Sequence, residues 1–212
     1  MDRRKLTLLF QTLKYLKFRQ VYYRVFYLIR NKFFKYNKAH KQLETNVPQI
    51  EWGLNEIFFY NSFSNHSFSF LNIPKEFNQT IDWNFSDFGK LWTYNLNYFD
   101  FLNQKEISQN QGLQLIWAYI KDNNNLKDGI EPYPISLRGV NWVKFLSKYK
   151  IKDQTIDGVL YGHYSILLQN IEYHLLANHL LENGFSLLFG AYYFQDESMY
   201  KYATKILKTE LN

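Results

Sequence analysis

A chain of 212 residues is long enough to bury a core, as one large domain or two small ones. It contains no cysteine, which excludes disulfides, thiolate metal sites and a cysteine nucleophile. The net charge of +6 divides unevenly: residues 1–42 carry 12 Lys/Arg against Asp2 alone, and the remaining 170 carry 13 Lys/Arg against 18 Asp/Glu. Basicity therefore belongs to an N-terminal arm, and a body at −5 is no electrostatic partner for nucleic acid.

Taken in order, Lys5 to about Phe34 holds neither Gly nor Pro. Leu6, Leu9, Phe10, Leu13, Leu16, Tyr22, Val25, Phe26 and Ile29 recur at roughly helical spacing, with Lys14, Lys17, Arg24 and Arg30 between them. The pattern predicts a basic amphipathic helix. It fits an anionic membrane surface or a partner, and equally a helix that covers its own domain. No run reaches 18 apolar residues, so no spanning helix is expected. Leu6–Phe10 is too short for a signal core, which leaves a cytoplasmic location as the default.

Residues 36–80 are irregular, broken by Pro48, Gly53 and Pro74, with short strands predicted at 56–60 and 67–71. Next comes an aromatic stretch: Trp83, Trp92, Tyr94 and Tyr98 alternate with Asp82, Asn84, Asn95, Asn97 and Asp100. Aromatic faces stack on sugar C–H surfaces while amides and carboxylates bond hydroxyls, although an aromatic core with polar turns has the same composition. From Gln104 onward the spacing predicts helices over 107–122, 136–150, 158–175, 178–194 and 196–210. Glu131-Pro-Tyr-Pro134 reads as a rigid turn with Ser136 as the following N-cap. Antiparallel helices on short loops suit a bundle or part of an α/α toroid.

Two further groups of residues carry chemistry. On a helix beginning near Ser136, Arg138, Asn141 and Trp142 share one face. A guanidinium grips a carboxylate bidentately and an indole stacks, which suits an acidic sugar. The stretch Tyr173–Gly184 then sets His174, Asn178, His179, Glu182 and Asn183 into a leucine-rich pattern. It reads as the polar lip of a carbohydrate cleft or as a helix capped by Asn178. His174 and His179 are five apart, roughly 140° around a helix, so no zinc pair forms. The chain has no Gly-rich phosphate loop, nucleophile elbow or zinc-finger spacing, so neither a metal nor a nucleotide cofactor is expected.

Together the blocks Ile81–Phe101, Glu131–Phe145 and Tyr173–Phe194 resemble the N-terminal domain of the heparinase II/III family of polysaccharide lyases. Ala177 and Gly184 depart from the pattern, small residue for small. The resemblance implies a partial (α/α) toroid of antiparallel helix pairs over 43–212, following the amphipathic arm of 1–42 and a short irregular or β segment. It implies β-elimination on a uronate-containing polysaccharide, heparin/heparan- or alginate-like, with no cofactor. Asn178 would neutralise the uronate carboxylate and His179 neutralise it or abstract the proton. Trp92, Tyr94, Tyr133, Arg138, Asn141, Trp142 and His174 become cleft residues by the same resemblance. The family generally works outside the cytoplasm, which points to the periplasm. Its catalytic tyrosine and β-sandwich follow the Asn-His pair, so the chain is expected to be a truncated, catalytically incomplete part, with a separately encoded β-sandwich half as an expected partner. A non-catalytic acidic-glycan-binding module and a membrane-surface helical protein stand as alternatives.

Overall fold

The computed structural model describes residues 11, 14, 16–33, 50–51, 58–175 and 177–211. It is mainly helical, with one small antiparallel sheet. In chain order the elements are α1 (Phe18–Phe33), β1 (Phe63–Ser64), β2 (Ser67–Phe70), β3 (Ile73–Glu76) and α2 (Lys90–Tyr98). There follow α3 (Gln109–Asp122), α4 (Pro132–Lys148), α5 (Gln154–Gln169), α6 (Ala177–Phe194) and α7 (Glu197–Glu210), with 3₁₀ turns at Asp100–Asn103 and Asn123–Asn125.

The sheet is a meander in the order β1-β2-β3, with Phe63 opposite Phe68 and Phe70 opposite Ile73. Two tight turns close it, Asn65-His66 and Leu71-Asn72, and all four residues have positive φ, the backbone such hairpins require. Phe68 and Phe70 face the core while Ser67 and Ser69 face out, and Pro74 sits on the edge strand, where its missing N–H costs nothing. One side chain staples the meander to the helical body. Gln104 Oε1 accepts from the N–H groups of Ser62 and Phe63, each at 3.1 Å, and its Nε2 donates to Phe63 O at 2.7 Å. Of the strand expected at 56–60, residues 56 and 57 lie outside the described residues, and Phe59 makes a single parallel bridge to Gln104. Pattern reading missed β1 and β3, which are too short and interrupted to show alternation.

Helix starts follow capping chemistry. Ser108 and Gln111 form a capping box on α3, Asp153 accepts the N–H groups of Thr155 and Ile156 on α5, and Asp196 accepts that of Met199 on α7. Helix α4 begins at Pro132, not after it. Prolines are tolerated in a first turn because the N–H groups they lack have no intrahelical partner there. Ser136 is thus a buried residue inside α4 rather than its cap. Helix α5 ends at Gln169, six residues short of the sequence expectation, and α2 was not among the predicted helices at all. Three stops use left-handed residues: Phe99 (φ 61°) ends α2, Lys150 (φ 53°) ends α4 with Ile151 N–H bonded to Leu146 O, and Gln195 (φ 53°) ends α6 with Asp196 N–H bonded to Ala191 O.

The core is aromatic. Phe99 stacks on Trp83 at 5.1 Å and meets Trp142 and Tyr119 edge-on at 5.4 and 5.1 Å. Burying such a side chain over roughly 150 Å² is worth up to about 4 kcal/mol. Helix α6 packs between α4 and α7, and Tyr164 of α5 wedges between Gly139 and Gly190. A Cβ at either glycine would stand 2.8 Å from the Tyr164 ring or hydroxyl, so the close approach needs glycine on both helices.

Helix α1 docks by one face only. Tyr27 Oη donates to Ile171 O at 2.6 Å, Gln20 Nε2 donates to His174 O and Leu175 O at 3.5 and 3.4 Å, and Arg30 donates to Gln169 O and Asn170 Oδ1. Tyr23 stacks on Tyr173 at 4.6 Å and Arg19 pairs with Glu210 at 2.6 Å. The opposite face, with Phe18, Tyr22, Val25, Phe26 and Ile29, is exposed. Among the described residues no helix is long and apolar enough to cross a membrane.

Candidate functional site

The loop between α5 and α6 delivers Glu172 into the protein and α6 brings His179 over it. Glu172 Oε1 lies 3.2 Å from His179 Nδ1, with 7% of the Glu172 side chain exposed and 44% of the His179 side chain. Asn183, one turn beyond His179, fixes the carboxylate. Its Nδ2 donates to Glu172 Oε2 and to Ser136 Oγ, each at 3.1 Å, and its Oδ1 accepts Glu172 N–H at 2.8 Å. Burial pushes the Glu172 carboxyl up, and the His179 ring and the Asn183 amide pull it partly back. An ionised carboxylate can only accept, so Nδ1 is the donor in this pair and Nε2 is the ring nitrogen left for a ligand. This is a half-exposed imidazole whose orientation the Glu172 contact sets.

Tyr133, in the first turn of α4, lies with its ring 4.5 Å from that of His179. Tyr98 follows at 6.0 Å and Tyr94 at 6.5 Å, making a run of aromatic rings from α2 across α4 to α6. The far end is anchored by charge: Glu131 Oε1 accepts from Tyr94 Oη and from Lys90 Nζ, both at 2.7 Å. Burial, and after it the Glu131 bond, pushes Tyr94 up to about 12. At Glu131 the cost of burial is outweighed by the Lys90 and Tyr94 bonds, and its carboxyl falls below its ordinary value. Burial, then Glu182 and Glu172, pushes Tyr133 up, so its hydroxyl keeps its proton at neutral pH.

Beside this run sits a second charged group. Asp100 Oδ1 accepts from Asn141 Nδ2 at 2.6 Å, and burial raises its carboxyl. Glu182, one turn after His179, is raised by burial and by Asp100, and Lys144 opposes the rise. Burial lowers Lys144, against the pull of both carboxylates. Three titratable groups on the 3₁₀ turn, α4 and α6 thus share one field next to Tyr133.

The residues expected to form a cleft divide between surface and core. Tyr94, Tyr133 and His179 come together on one face, and Asn178 stands exposed beside His179 in the first turn of α6. His174 does not join them; it lies under α1, edge-on to Tyr27 at 5.5 Å, with burial lowering its pKa. Trp92, Arg138 and Trp142 are 0% exposed and Asn141 is 2% exposed. Trp92 Nε1 donates to Ile73 O at 2.9 Å, which ties the meander to α2. Arg138 Nη1 donates to Asn97 O and Gly129 O at 3.0 and 2.9 Å, with the guanidinium 4.8 Å from the Tyr119 ring. Asn141 Nδ2 bonds Tyr98 O at 2.9 Å as well as Asp100. The shared face of Arg138, Asn141 and Trp142 exists, but it points inward. It pins the α2–3₁₀ segment to α4 and offers no surface to a saccharide carboxylate.

Glu172 and Asn183 are the site residues that pattern reading missed as partners of His179. A helix drawn through to residue 175 places Glu172 on a regular face, whereas the actual end at Gln169 frees the loop to turn its carboxylate inward. A lone carboxylate between Ile171 and Tyr173 was the available signal. Among the described residues no group of three or more His, Cys, Asp or Glu could hold a metal ion. No family model, no curated protein and no solved structure matches this chain.

Proposed function

We propose that this chain is a helical, α/α-toroid-like domain of a polysaccharide lyase that cleaves uronate-containing glycans by β-elimination. The reading rests on the resemblance of the three sequence blocks and on one observation, His179 held by buried Glu172 and flanked by Tyr133. The reaction removes the proton at uronate C5, forms the C4–C5 double bond and expels the C4 oxygen. His179 Nε2 is the base that takes the proton, with Glu172 stabilising the imidazolium. Asn178, exposed in the first turn of α6, takes the uronate carboxylate and holds the charge that develops on it. Tyr133, protonated at neutral pH, donates to the leaving oxygen. Tyr94, held in line by the buried Tyr98 ring, offers a further aromatic face on which an adjoining sugar stacks.

The test incubates the chain with alginate, hyaluronan and heparan sulfate, follows the absorbance of the unsaturated product and measures oligouronate binding by calorimetry. Turnover lost in His179→Ala supports the lyase. Binding without turnover, lost in Asn178→Ala, supports a non-catalytic acidic-glycan module. Neither binding nor turnover in a folded chain refutes both.

A second role is favoured by the two faces of α1. Phe18, Tyr22, Val25, Phe26 and Ile29 form an exposed apolar stripe, Phe18 at 85%, and Lys17, Arg24 and Lys32 lie to one side of it. That arrangement suits an anionic lipid surface, with the domain carried on the other face. Sedimentation with phosphatidylglycerol vesicles, and not with phosphatidylcholine vesicles, is expected. Unchanged sedimentation in a Phe18→Ser/Ile29→Ser variant would remove the role.

A further inference from the structure

We propose that the cavity between the meander and α3 binds a neutral saccharide, at a site separate from the His179 face. The cavity holds about 630 Å³, within the range of small-ligand sites. Its floor includes Phe77, Trp83 and Leu115, all buried. Trp83 is immobilised by Phe99 on one face and Tyr119 at its edge, and its buried Nε1–H meets no acceptor. The floor is therefore rigid and apolar.

The rim is built of amides brought in from three elements. Asn65 comes from the hairpin tip, Gln79 from the turn after β3, and Gln111 and Gln114 stand one turn apart on α3. Gln111 commits its oxygen to the Ser108 cap, which leaves its NH₂ group for a ligand. The side chains of Asn65, Gln79 and Gln114 make no hydrogen bond among the described residues. Thr80 adds a hydroxyl beside them. A primary amide donates and accepts at once, which matches vicinal sugar hydroxyls, while the apolar floor takes the C–H face. Two lining residues carry charges of opposite sign, Lys121 and Asp122, and His66 at the hairpin tip adds an imidazole, so the lining has no cluster of cations to select an anion. Solvation alone explains single surface glutamines. It does not explain amides from three elements ringed around one apolar hollow.

No residue lining this cavity belongs to the Glu172–His179–Tyr133 group, so the inference goes beyond the uronate reading and stands without it. The experiment titrates the whole chain, its side-chain amides isotope-labelled, with glucose-, galactose-, mannose- and N-acetylglucosamine-based oligosaccharides and with an oligouronate. A neutral oligosaccharide is expected to shift the amide signals of Gln79, Gln111 and Gln114. Gln114→Ala should weaken that binding about fivefold without lowering the melting temperature, as loss of a neutral hydrogen bond predicts. His179→Ala should leave it unchanged. The proposal is overturned if no neutral oligosaccharide moves these signals, if the oligouronate moves them at equal or lower concentration, or if Gln114→Ala binds as tightly as the native chain.

Discussion

Arg138→Ala separates a buried clamp from a ligand-gripping arginine. In the folded chain Arg138 spans two backbone carbonyls, Asn97 O at 3.0 Å and Gly129 O at 2.9 Å, and is fully buried. Each hydrogen bond from a charged donor contributes about 1.5–3 kcal/mol, so losing both costs about 3–6 kcal/mol. Against this, the substitution removes a buried cation whose Nε and Nη2 find no partner, and burial already lowers its pKa. The balance is a loss of about 4 kcal/mol, a fall in melting temperature of about 8–16 °C for a domain of this size. Urea denaturation should show a lower midpoint at unchanged slope. Arg138→Lys should recover less than half, because one ammonium on a flexible stem does not reproduce the planar fork. Should Arg138→Ala melt with the native chain and lose only glycan binding, the clamp reasoning is refuted and Arg138 belongs to the cleft.

Three further outcomes follow from the geometry. Gly129→Ala places a Cβ 2.3 Å from Asn97 Cγ at a φ of +76°, so it should destabilise by at least about 2 kcal/mol in thermal melts, through strain and clash together. Burial, opposed by the Tyr193 hydrogen bond, pushes Asp157 up to about 6 from an ordinary 3.8, so the folded state holds this proton more tightly than the unfolded chain and stability falls as pH rises between those values. Asp157→Asn should therefore add about 1–2 kcal/mol at pH 7, discounted for solvent screening, and nothing below pH 4; a gain independent of pH would count against it. Asn183→Ala removes the bonds to Ser136, Glu172 Oε2 and Glu172 N–H, so it should cost about 3 kcal/mol and speed hydrogen exchange at the Glu172 amide.

Much of the helical order was legible because caps and periodicity agree. Ser108, Asp153 and Asp196 sit in front of apolar stripes, and α3, α6 and α7 start within two residues of where the spacing predicts. What misled was chemistry with two readings. Glu131-Pro-Tyr-Pro134 serves as a turn or as a first helical turn, and only packing of Ser136 against Asn183 and Ser186 decides it. The side-chain face shared by Arg138, Asn141 and Trp142 follows from spacing, but whether it faces solvent or core is set by α2, a helix that spacing did not predict. Glu172 was invisible as a partner because its role depends on where α5 stops. Local pattern marks which residues travel together; the long-range partner decides what they do.

Helix α1 has a consequence for sequence drift. Three of its side chains, Gln20, Tyr27 and Arg30, bond main-chain carbonyls at positions 169, 171, 174 and 175, and carbonyls are the same whatever residue supplies them. Substitutions along that loop therefore leave these bonds of α1 in place, provided the backbone path is kept. Divergent relatives are expected to keep the donors at positions 20, 27 and 30 while the loop they hold varies, so that the docking grip outlasts the identity of what it grips.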